Sequence, residues 1–127
     1  AFEARVFGEA ERQALALDSC REAPKKAKND HGDTVRQSAL NVSRRARKAA
    51  SAAADFAAKE AFLKAAGTGL REPFALRDIE AVRLESGAPA YRFSGPAAAW
   101  VAEHGLRAHL SLSHEGGMAL AFCVLEI

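Results

Sequence analysis

The sequence has few of the residues that cross-link small secreted proteins. Only two of its 127 residues are cysteine, Cys20 and Cys123, and they lie far apart without CxxC spacing. A disulfide-stapled scaffold is therefore excluded, and metal or redox chemistry through these two side chains is not expected. We interpret both as ordinary reduced thiols, which indicates a cytoplasmic protein.

Long apolar runs and targeting signals are also missing. No run approaches the roughly 18 apolar residues that a membrane-spanning helix needs, so we expect no membrane partner. The chain opens with Ala1-Phe2-Glu3 and has neither an initiating methionine nor a signal-peptide pattern. We expect that the chain was processed or that the sequence omits a beginning.

Catalytic motifs that can be recognised on their own are absent as well. The sequence contains no GxSxG, HExxH, Walker loop or GxGxxG. A serine hydrolase, which needs a nucleophile, a base and an orienting acid, is therefore not indicated. His31 stands alone in a basic stretch, and we interpret it as a solvated side chain.

Alanine and an uneven distribution of charge are what the sequence does contain. Alanine accounts for 30 residues, which favours helices, and the length predicts one domain over residues 1–127. The formal net charge is +2, but residues 21–50 hold nine basic and three acidic side chains, so the rest of the chain carries −4. A nucleic-acid partner is not expected, because residues 21–50 contain no Phe, Tyr or Trp that could stack on bases and the net charge of +2 is modest.

Hydrophobic periodicity and turn signals predict a mixed fold. The predicted order is a helix over 8–20, a loop through Asp33, an Ala-rich helix from about Thr34 to Ala66, a hairpin over 78–93, a helix that opens at Pro96, and a hairpin over 107–127. An Ala-rich helix of about 30 residues is long, so the pattern allows a break near Ser43 or Ser51. The predicted class is α+β, an antiparallel sheet of short hairpins with a long Ala-rich helix and shorter helices.

Two segments contain candidate functional residues. In FAAKEAFLKAAGTG, which begins at Phe56, Glu60 and Lys64 are four residues apart and share a helix face, as in an ordinary surface ion pair. In HLSLSHE, His109 and the two serines after it alternate along a predicted strand, as on an ordinary solvated face. From spacing alone, neither segment indicates more than a polar surface.

The order of the segments resembles that of the holo-acyl-carrier-protein synthase family, the short group of phosphopantetheinyl transferases. FAAKEAFLKAAGTG is followed by DIE, by GAP, by HLSLSHE and by a terminal strand ending VLE, as in that family. RVFGEAE, residues 5–11, is also similar to the family's R-[IVL]-[FL]-T-xx-E segment. The resemblance covers residues 5–19 and 52–127.

The resemblance implies an enzyme that moves 4'-phosphopantetheine from coenzyme A to a serine of apo acyl carrier protein and releases adenosine 3',5'-bisphosphate. It implies Mg²⁺ on the pyrophosphate, where the cation offsets charge on the attacked phosphorus and the leaving group. It also implies a cytoplasmic homotrimer that acts in fatty acid biosynthesis, a branch of lipid metabolism, with each active site between neighbouring subunits. The main alternative is a non-catalytic homologue that binds carrier protein or coenzyme A.

Five residues match functional positions of the family. By resemblance, Glu60 is the metal-binding glutamate and helps to deprotonate the incoming serine, and Lys64 is the lysine beside the pyrophosphate. Gly67 matches a site where the backbone approaches the cofactor closely. Pro89 and His109 match residues that line the nucleotide pocket.

Three departures from the family pattern bear on these expectations. The family's other metal ligand is an aspartate in an N-terminal V-G-x-D strand, which we expect in an unrecorded strand before Ala1. Asp55 stands where the family commonly has an arginine that contacts cofactor phosphate, so that role is not carried over. Residues 22–50 form a longer, basic insert, for which we consider a solvated surface, a docking surface for the acidic carrier protein, or a replacement phosphate-binding group.

Overall fold

A computed structural model describes residues 5–15 and 31–127, and the side chains of the second range from Arg36 onward. The helices and strands in these ranges are α1 (Glu9–Leu15), α2 (His31–Ala65), β1 (Ile79–Arg83), β2 (Pro89–Phe93), α3 (Gly95–Glu103), β3 (Arg107–Glu115) and β4 (Met118–Glu126). A 3-10 turn, Leu76–Asp78, leads into β1. No helix in the described ranges is long and apolar enough to cross a membrane.

The Ala-rich segment forms a single helix, α2, of 35 residues. From residue 33 to residue 66 the sequence contains neither glycine nor proline, and it is rich in alanine and long unbranched side chains. The break that the pattern allowed near Ser43 or Ser51 does not occur, because one serine weakens a helix by only about half a kcal/mol. The helix therefore runs uninterrupted from the basic segment into FAAKEAFLKAAGTG.

The sequence predicted the C-terminal end of α2 correctly but placed the N-terminal end three residues too late. The helix begins at His31, so the predicted loop is wrong in its last three residues, because Gly32 is tolerated inside the helix. Residues 21–30 of that loop lie outside the described part of the chain. At the other end, Gly67 adopts a φ of 72° and its N–H donates to the carbonyl of Lys64 at 3.1 Å, which is the expected glycine-closed helix end.

Two antiparallel hairpins follow α2, as predicted. The first pairs β1 with β2, with Ile79 opposite Phe93, and the second pairs β3 with β4, with Arg107 opposite Glu126. Within the described ranges each hairpin is a two-stranded sheet, and β2 packs beside β3 while both strands of the second hairpin pack against α2. The predicted α+β class is confirmed.

The core is built around Phe62 of α2, which is fully buried. Its ring lies 4.7 Å from that of Phe93 and 6.3 Å from that of Trp100, measured between ring centres. Burying one such side chain contributes roughly 1.5–3 kcal/mol. This packing attaches both hairpins and α3 to one face of α2, so the functional segments of the chain share a single framework.

The short helix α1 packs on the same framework from another side. Val6, Phe7 and Leu15 are buried and pack against Ala52 of α2 and Leu76. The helix was predicted over 8–20, and its described part is Glu9–Leu15, with residues 16–20 outside the described ranges. The packing of α1 brings the carboxylate of Glu11 next to Lys59 of α2.

Candidate functional site

Glu60 and Lys64 project from one face of α2, one turn before the helix ends. Their carboxylate and ammonium are 3.8 Å apart, and the side chains are 52% and 79% exposed. The i,i+4 pairing predicted from the sequence is therefore present. A shallow pocket of about 110 Å³ opens beside the pair, and it is lined by Phe56, Glu60, Leu63, Lys64, Gly69, Leu70 and Leu76.

The turn after α2 borders the same pocket. Gly67 lies in this turn, and a Cβ added to it would meet no atom within 4 Å, so its backbone faces open space. The positive φ of Gly67 is one that side-chain-bearing residues rarely adopt. An exposed backbone of this kind can approach a bound group closely.

Pro89 and His109 lie on the two hairpins. Pro89 begins β2 opposite Arg83, and His109 lies in β3 with its Nε2 3.0 Å from Oε1 of Glu126. Neither residue lines the pocket beside Glu60. Within one chain, the structure thus brings together the predicted residues of α2 and its terminal turn, and places these two elsewhere.

A buried ion pair lies directly beneath the exposed one, and it was not identified from the sequence. Lys59 and Glu11 have fully buried side chains, with Nζ and Oε2 2.6 Å apart. The Lys59 ammonium also donates to the carbonyls of Leu76, at 3.0 Å, and Ile79. One charged group therefore joins α1, α2 and the start of β1.

The carboxylate of Glu11, like the ammonium of Lys59, forms three hydrogen bonds. The backbone N–H of Gly8 donates to its Oε2 at 3.0 Å, and the N–H of Ala81 donates to its Oε1 at 2.7 Å. Burial raises the pKa of Glu11 and lowers that of Lys59, and the attraction between the two charges opposes both shifts. The paired charges compensate each other where neither would be tolerated alone.

A second buried carboxylate, that of Glu80, caps the N-terminal end of α1. Its Oε1 accepts the backbone N–H of Ala10 at 2.9 Å, and its Oε2 accepts a hydrogen bond from Nε of Arg92 at 3.2 Å. A Cβ on Gly8 would lie 2.0 Å from Oε1 of Glu80, so this position has room only for glycine. Gly8 is needed here for close packing and not for an unusual backbone conformation.

Asp55 is one of the departures from the family pattern, and it has a specific partner. Its buried carboxylate lies 3.2 Å from the guanidinium of Arg83 on β1. Burial raises the pKa of Asp55, while the nearby Arg83 opposes the rise. A guanidinium therefore lies beside position 55 even though residue 55 is an aspartate.

Comparison with protein families decides to which group this arrangement belongs. A family model described as the 4'-phosphopantetheinyl transferase superfamily matches residues 1–123. The chain belongs to this superfamily. The segments that match include both the exposed pair of α2 and the α1 segment that supplies Glu11.

Relatives in the superfamily carry a narrower name. The chain is 48% identical over 71 residues to the holo-[acyl-carrier-protein] synthase of Methylibium petroleiphilum, covering 56% of this chain and 54% of that protein. It is 49% identical over 88 residues to the synthase of Methylobacterium sp., covering 65% of each. The chain thus spans between about half and two thirds of the length of these relatives.

Solved structures of the superfamily share the fold. The holo-[acyl-carrier-protein] synthase of Neisseria meningitidis is 31% identical, with a TM-score of 0.64 over 99% of this chain and 80% of that one. A structure described as the Chronobacterium ammoniagenes ACPS–CoA complex is 26% identical, with a TM-score of 0.66 over 98% of this chain and 79% of that one. These similarities confirm the predicted family and fold.

Both residues of the buried pair lie inside motifs that are typical of the superfamily, although their spacing in the sequence does not indicate that they are paired. RVFGEAE ends in Glu11, and Lys59 directly precedes Glu60 in FAAKEAFLKAAGTG. Both residues therefore lie in segments that carry the resemblance, although Glu60, Lys64 and Gly67 were the residues of these segments that were singled out. A charged residue inside a family motif can therefore be predicted to have a structural role when no catalytic role is assigned to it.

Proposed function

We propose that the protein transfers 4'-phosphopantetheine from coenzyme A to a serine of an apo acyl carrier protein and releases adenosine 3',5'-bisphosphate. The observation that carries the proposal is the exposed Glu60–Lys64 pair beside the Gly67 turn, in a chain of this superfamily. Relatives named holo-[acyl-carrier-protein] synthase, and a related structure described as a CoA complex, support the same substrates.

The reaction assigns separate tasks to the two charges. The serine Oγ bonds to the phosphorus on the pantetheine side, and the bond from that phosphorus to the bridging oxygen breaks. The electron pair of that bond stays on the departing adenosine 3',5'-bisphosphate. Glu60 accepts the serine proton directly or through water, and the ammonium of Lys64 stabilises negative charge on the pyrophosphate.

Glu60 is also the residue that would hold a divalent cation. In the described part of the chain, no three His, Cys, Asp or Glu side chains are arranged to hold a metal ion. Mg²⁺ takes one or two carboxylates and completes its shell with phosphate oxygens and water, so the exposed Glu60 fits as one protein ligand. When bound, the cation offsets negative charge on the pyrophosphate. A second carboxylate is expected from the V-G-x-D strand of the family pattern.

A homotrimer would complete the nucleotide pocket with Pro89 and His109 of a neighbouring subunit. The face of β4 that points away from α2 is apolar and exposed, with Met118, Leu120 and Phe122 at 77%, 70% and 67% exposure. Exposed apolar surface of this kind marks an interaction site. His109 lies on the same face of the second hairpin, so self-association through this surface would deliver it to another chain.

Light scattering of the full chain tests the assembly. The Phe122→Glu variant is expected to dissociate the trimer, because a carboxylate cannot be buried unpaired in an apolar contact. Leu40→Glu is the matched control, since Leu40 is also exposed, at 59%, but lies on α2 and not on the hairpins. A monomeric wild type, or a trimeric Phe122→Glu variant, would contradict the proposed interface.

The exposed basic half of α2 suits an acidic partner. Residues 36–49 are exposed, and their charged side chains are all basic: Arg36, Arg44, Arg45, Arg47 and Lys48. Complementary charge accelerates encounter with an acidic protein and makes it sensitive to salt. We therefore favour the docking interpretation of the insert, with the carrier protein as partner. Arg44→Glu with Lys48→Glu should raise the KM for carrier protein and leave that for coenzyme A unchanged.

Fatty acid biosynthesis in the cytoplasm is the setting that this function fits best. Cys123 is a free thiol in the structure, and reduced thiols are typical of the cytoplasm. We interpret residues 1–127 as belonging to a single domain, because one family model matches residues 1–123. Location of the tagged full-length protein in fractionated cells checks this expectation.

The direct test is the intact mass of apo acyl carrier protein after incubation with this protein, coenzyme A and Mg²⁺. We expect a gain of one phosphopantetheine, which is abolished by a chelator and reduced at least 100-fold in rate by Glu60→Ala. Isothermal titration with coenzyme A is the second measurement. Binding without any mass gain, both from this chain and from one extended at its N-terminus by the expected V-G-x-D strand, would favour the non-catalytic alternative and would refute the transferase.

A further inference from the structure

The most confined charged group in the described part of the chain is the Lys59 ammonium. It has three N–H donors and three acceptors, namely Oε2 of Glu11 and the carbonyls of Leu76 and Ile79. Its side chain is fully buried, and no donor is left to act on a substrate. Lys59 is therefore not a catalytic residue, although it immediately precedes Glu60.

The contacts of Lys59 reach the wall of the candidate site. Leu76, whose carbonyl accepts from Lys59 at 3.0 Å, lines the pocket together with Glu60 and Lys64. Lys59 and Glu60 are consecutive on α2, so the direction of one side chain determines that of the other. The ammonium thus fixes both the helix that carries the exposed pair and the segment opposite it.

Glu11 strengthens this attachment through two backbone N–H groups. Its carboxylate binds the N–H of Gly8, before α1, and the N–H of Ala81, within β1. Because Glu11 binds Lys59 as well, a shift of α1 or β1 would displace Lys59 and, through it, Leu76 in the pocket wall. Four segments of the chain therefore meet at one pair of charges.

Stability alone gives little reason to place an ion pair here. The cost of desolvating two charges is comparable to their attraction, and well-packed apolar replacements for buried pairs are often as stable. Hydrogen bonds to charged groups are, however, short and directional. What a charged pair provides, and an apolar pair does not, is a fixed set of directions for the atoms that it binds.

We propose that Lys59 and Glu11 are positioning residues, which hold Leu76 and Glu60 in the arrangement that the transfer reaction needs. This role rests on the proposed function. Misplacement of reacting groups by about 1 Å can cost 100-fold in rate. Loss of the pair should therefore lower kcat, while the KM for coenzyme A, to which neither buried side chain has access, changes little.

The test separates position from stability by replacing both charges together. In the variant Lys59→Met with Glu11→Leu, no unpaired charge remains buried, so we expect a smaller loss of stability than in Glu11→Ala. The remaining loss is due to the backbone groups that lose their partners, those of Gly8, Leu76, Ile79 and Ala81. Its kcat should fall about tenfold or more, with the KM for coenzyme A within about threefold. A folded double variant with wild-type kcat would overturn the positioning role.

A second variant and a control keep the test decisive if the double variant does not fold. Glu11→Gln retains the shape of the side chain and should lower kcat by a smaller factor. Tyr91→Phe removes a hydrogen bond to the neighbouring carbonyl of Ala58 without touching Leu76, and it should keep the wild-type kcat. If Glu11→Gln lowers only stability, as Tyr91→Phe does, the positioning role is wrong. If neither this chain nor one extended at its N-terminus by the expected V-G-x-D strand transfers phosphopantetheine, the proposed function itself is refuted.

Discussion

Two ion pairs of α2 begin one residue apart and differ in almost every physical respect. Lys59 and Glu11 are 2.6 Å apart and fully buried, whereas Glu60 and Lys64 are 3.8 Å apart and 52% and 79% exposed. The inner pair joins residues 48 positions apart in sequence, and the outer pair joins neighbours on one helix. The comparison teaches that burial, and not the identity of the charges, determines whether an ion pair holds a structure together or is free to meet a substrate.

Removing one half of the inner pair should have the largest effect. Glu11→Ala leaves the Lys59 ammonium buried without its carboxylate, and we expect a loss of about 3–5 kcal/mol in the free energy of unfolding. Urea denaturation followed by circular dichroism measures it. A loss below about 1 kcal/mol would mean that water or another group solvates Lys59.

Removing the cation of the outer pair should affect the reaction instead. Lys64→Met is expected to lower kcat about 100-fold, because one positioned charge no longer stabilises the transition state. Its free energy of unfolding should change by less than about 0.5 kcal/mol, since the side chain is exposed. Steady-state kinetics and urea denaturation of the same preparation check both halves of this expectation.

The hydrogen bond of Tyr91 is an uncharged buried interaction whose contribution to stability can be compared with that of the buried ion pair. Its hydroxyl donates to the carbonyl of Ala58 at 2.7 Å, one residue before Lys59, so Tyr91→Phe should cost about 1 kcal/mol. Burial raises the pKa of Tyr91, so the folded chain keeps a proton that the unfolded chain loses above about pH 10. Stability should therefore fall as the pH rises through that range, and less steeply in Tyr91→Phe.

The tyrosine titration can be followed without interference, because the chain contains a single tyrosine. Ultraviolet absorbance of the folded protein should show no phenolate at a pH where the urea-unfolded protein is fully ionised. Burial raises the pKa of Cys123 in the same direction. Cys123→Ala in the Tyr91→Phe background separates the two contributions, and equal titration of folded and unfolded protein would rule out the buried hydroxyl.

The smallest effect should come from weakening the outer pair without removing a side chain. Glu60→Gln is expected to change the free energy of unfolding by less than about 0.5 kcal/mol, because exposed pairs at this spacing contribute little. Repeating the measurement in 1 M salt should leave the wild type equally unaffected. A change above about 1 kcal/mol would show that the outer pair is structural after all, which would erase the contrast.

The prediction succeeded where the signal was local. Glycines at helix ends and turns, such as Gly67, predicted the end of α2 and the hairpin turns, and i,i+4 spacing placed Glu60 beside Lys64. The break in α2 was wrong, because two isolated serines do not outweigh an alanine-rich context. Local signals were therefore sufficient for the type and order of the helices and strands and for the proximity of Glu60 and Lys64.

The prediction failed where the contact was distant in sequence. Glu11 lies at the end of the RVFGEAE segment, and no spacing rule pairs it with Lys59. The positions of Pro89 and His109 relative to Glu60 also depend on how the hairpins pack, which periodicity does not contain. Their proposed roles still rest on the resemblance.

The uninterrupted length of α2 also matters for how the protein moves through water. At about 1.5 Å per residue, a helix of 35 residues extends roughly 52 Å, whereas a compact chain of 127 residues, with a radius of gyration of about 14 Å, corresponds to a sphere roughly 36 Å across. Residues 36–49 of this helix are exposed in the described part of the chain, and an exposed helical segment of this kind adds more friction than mass. The molecule should therefore elute from a sizing column earlier than a sphere of equal mass, and subunits must be counted by scattering or sedimentation equilibrium.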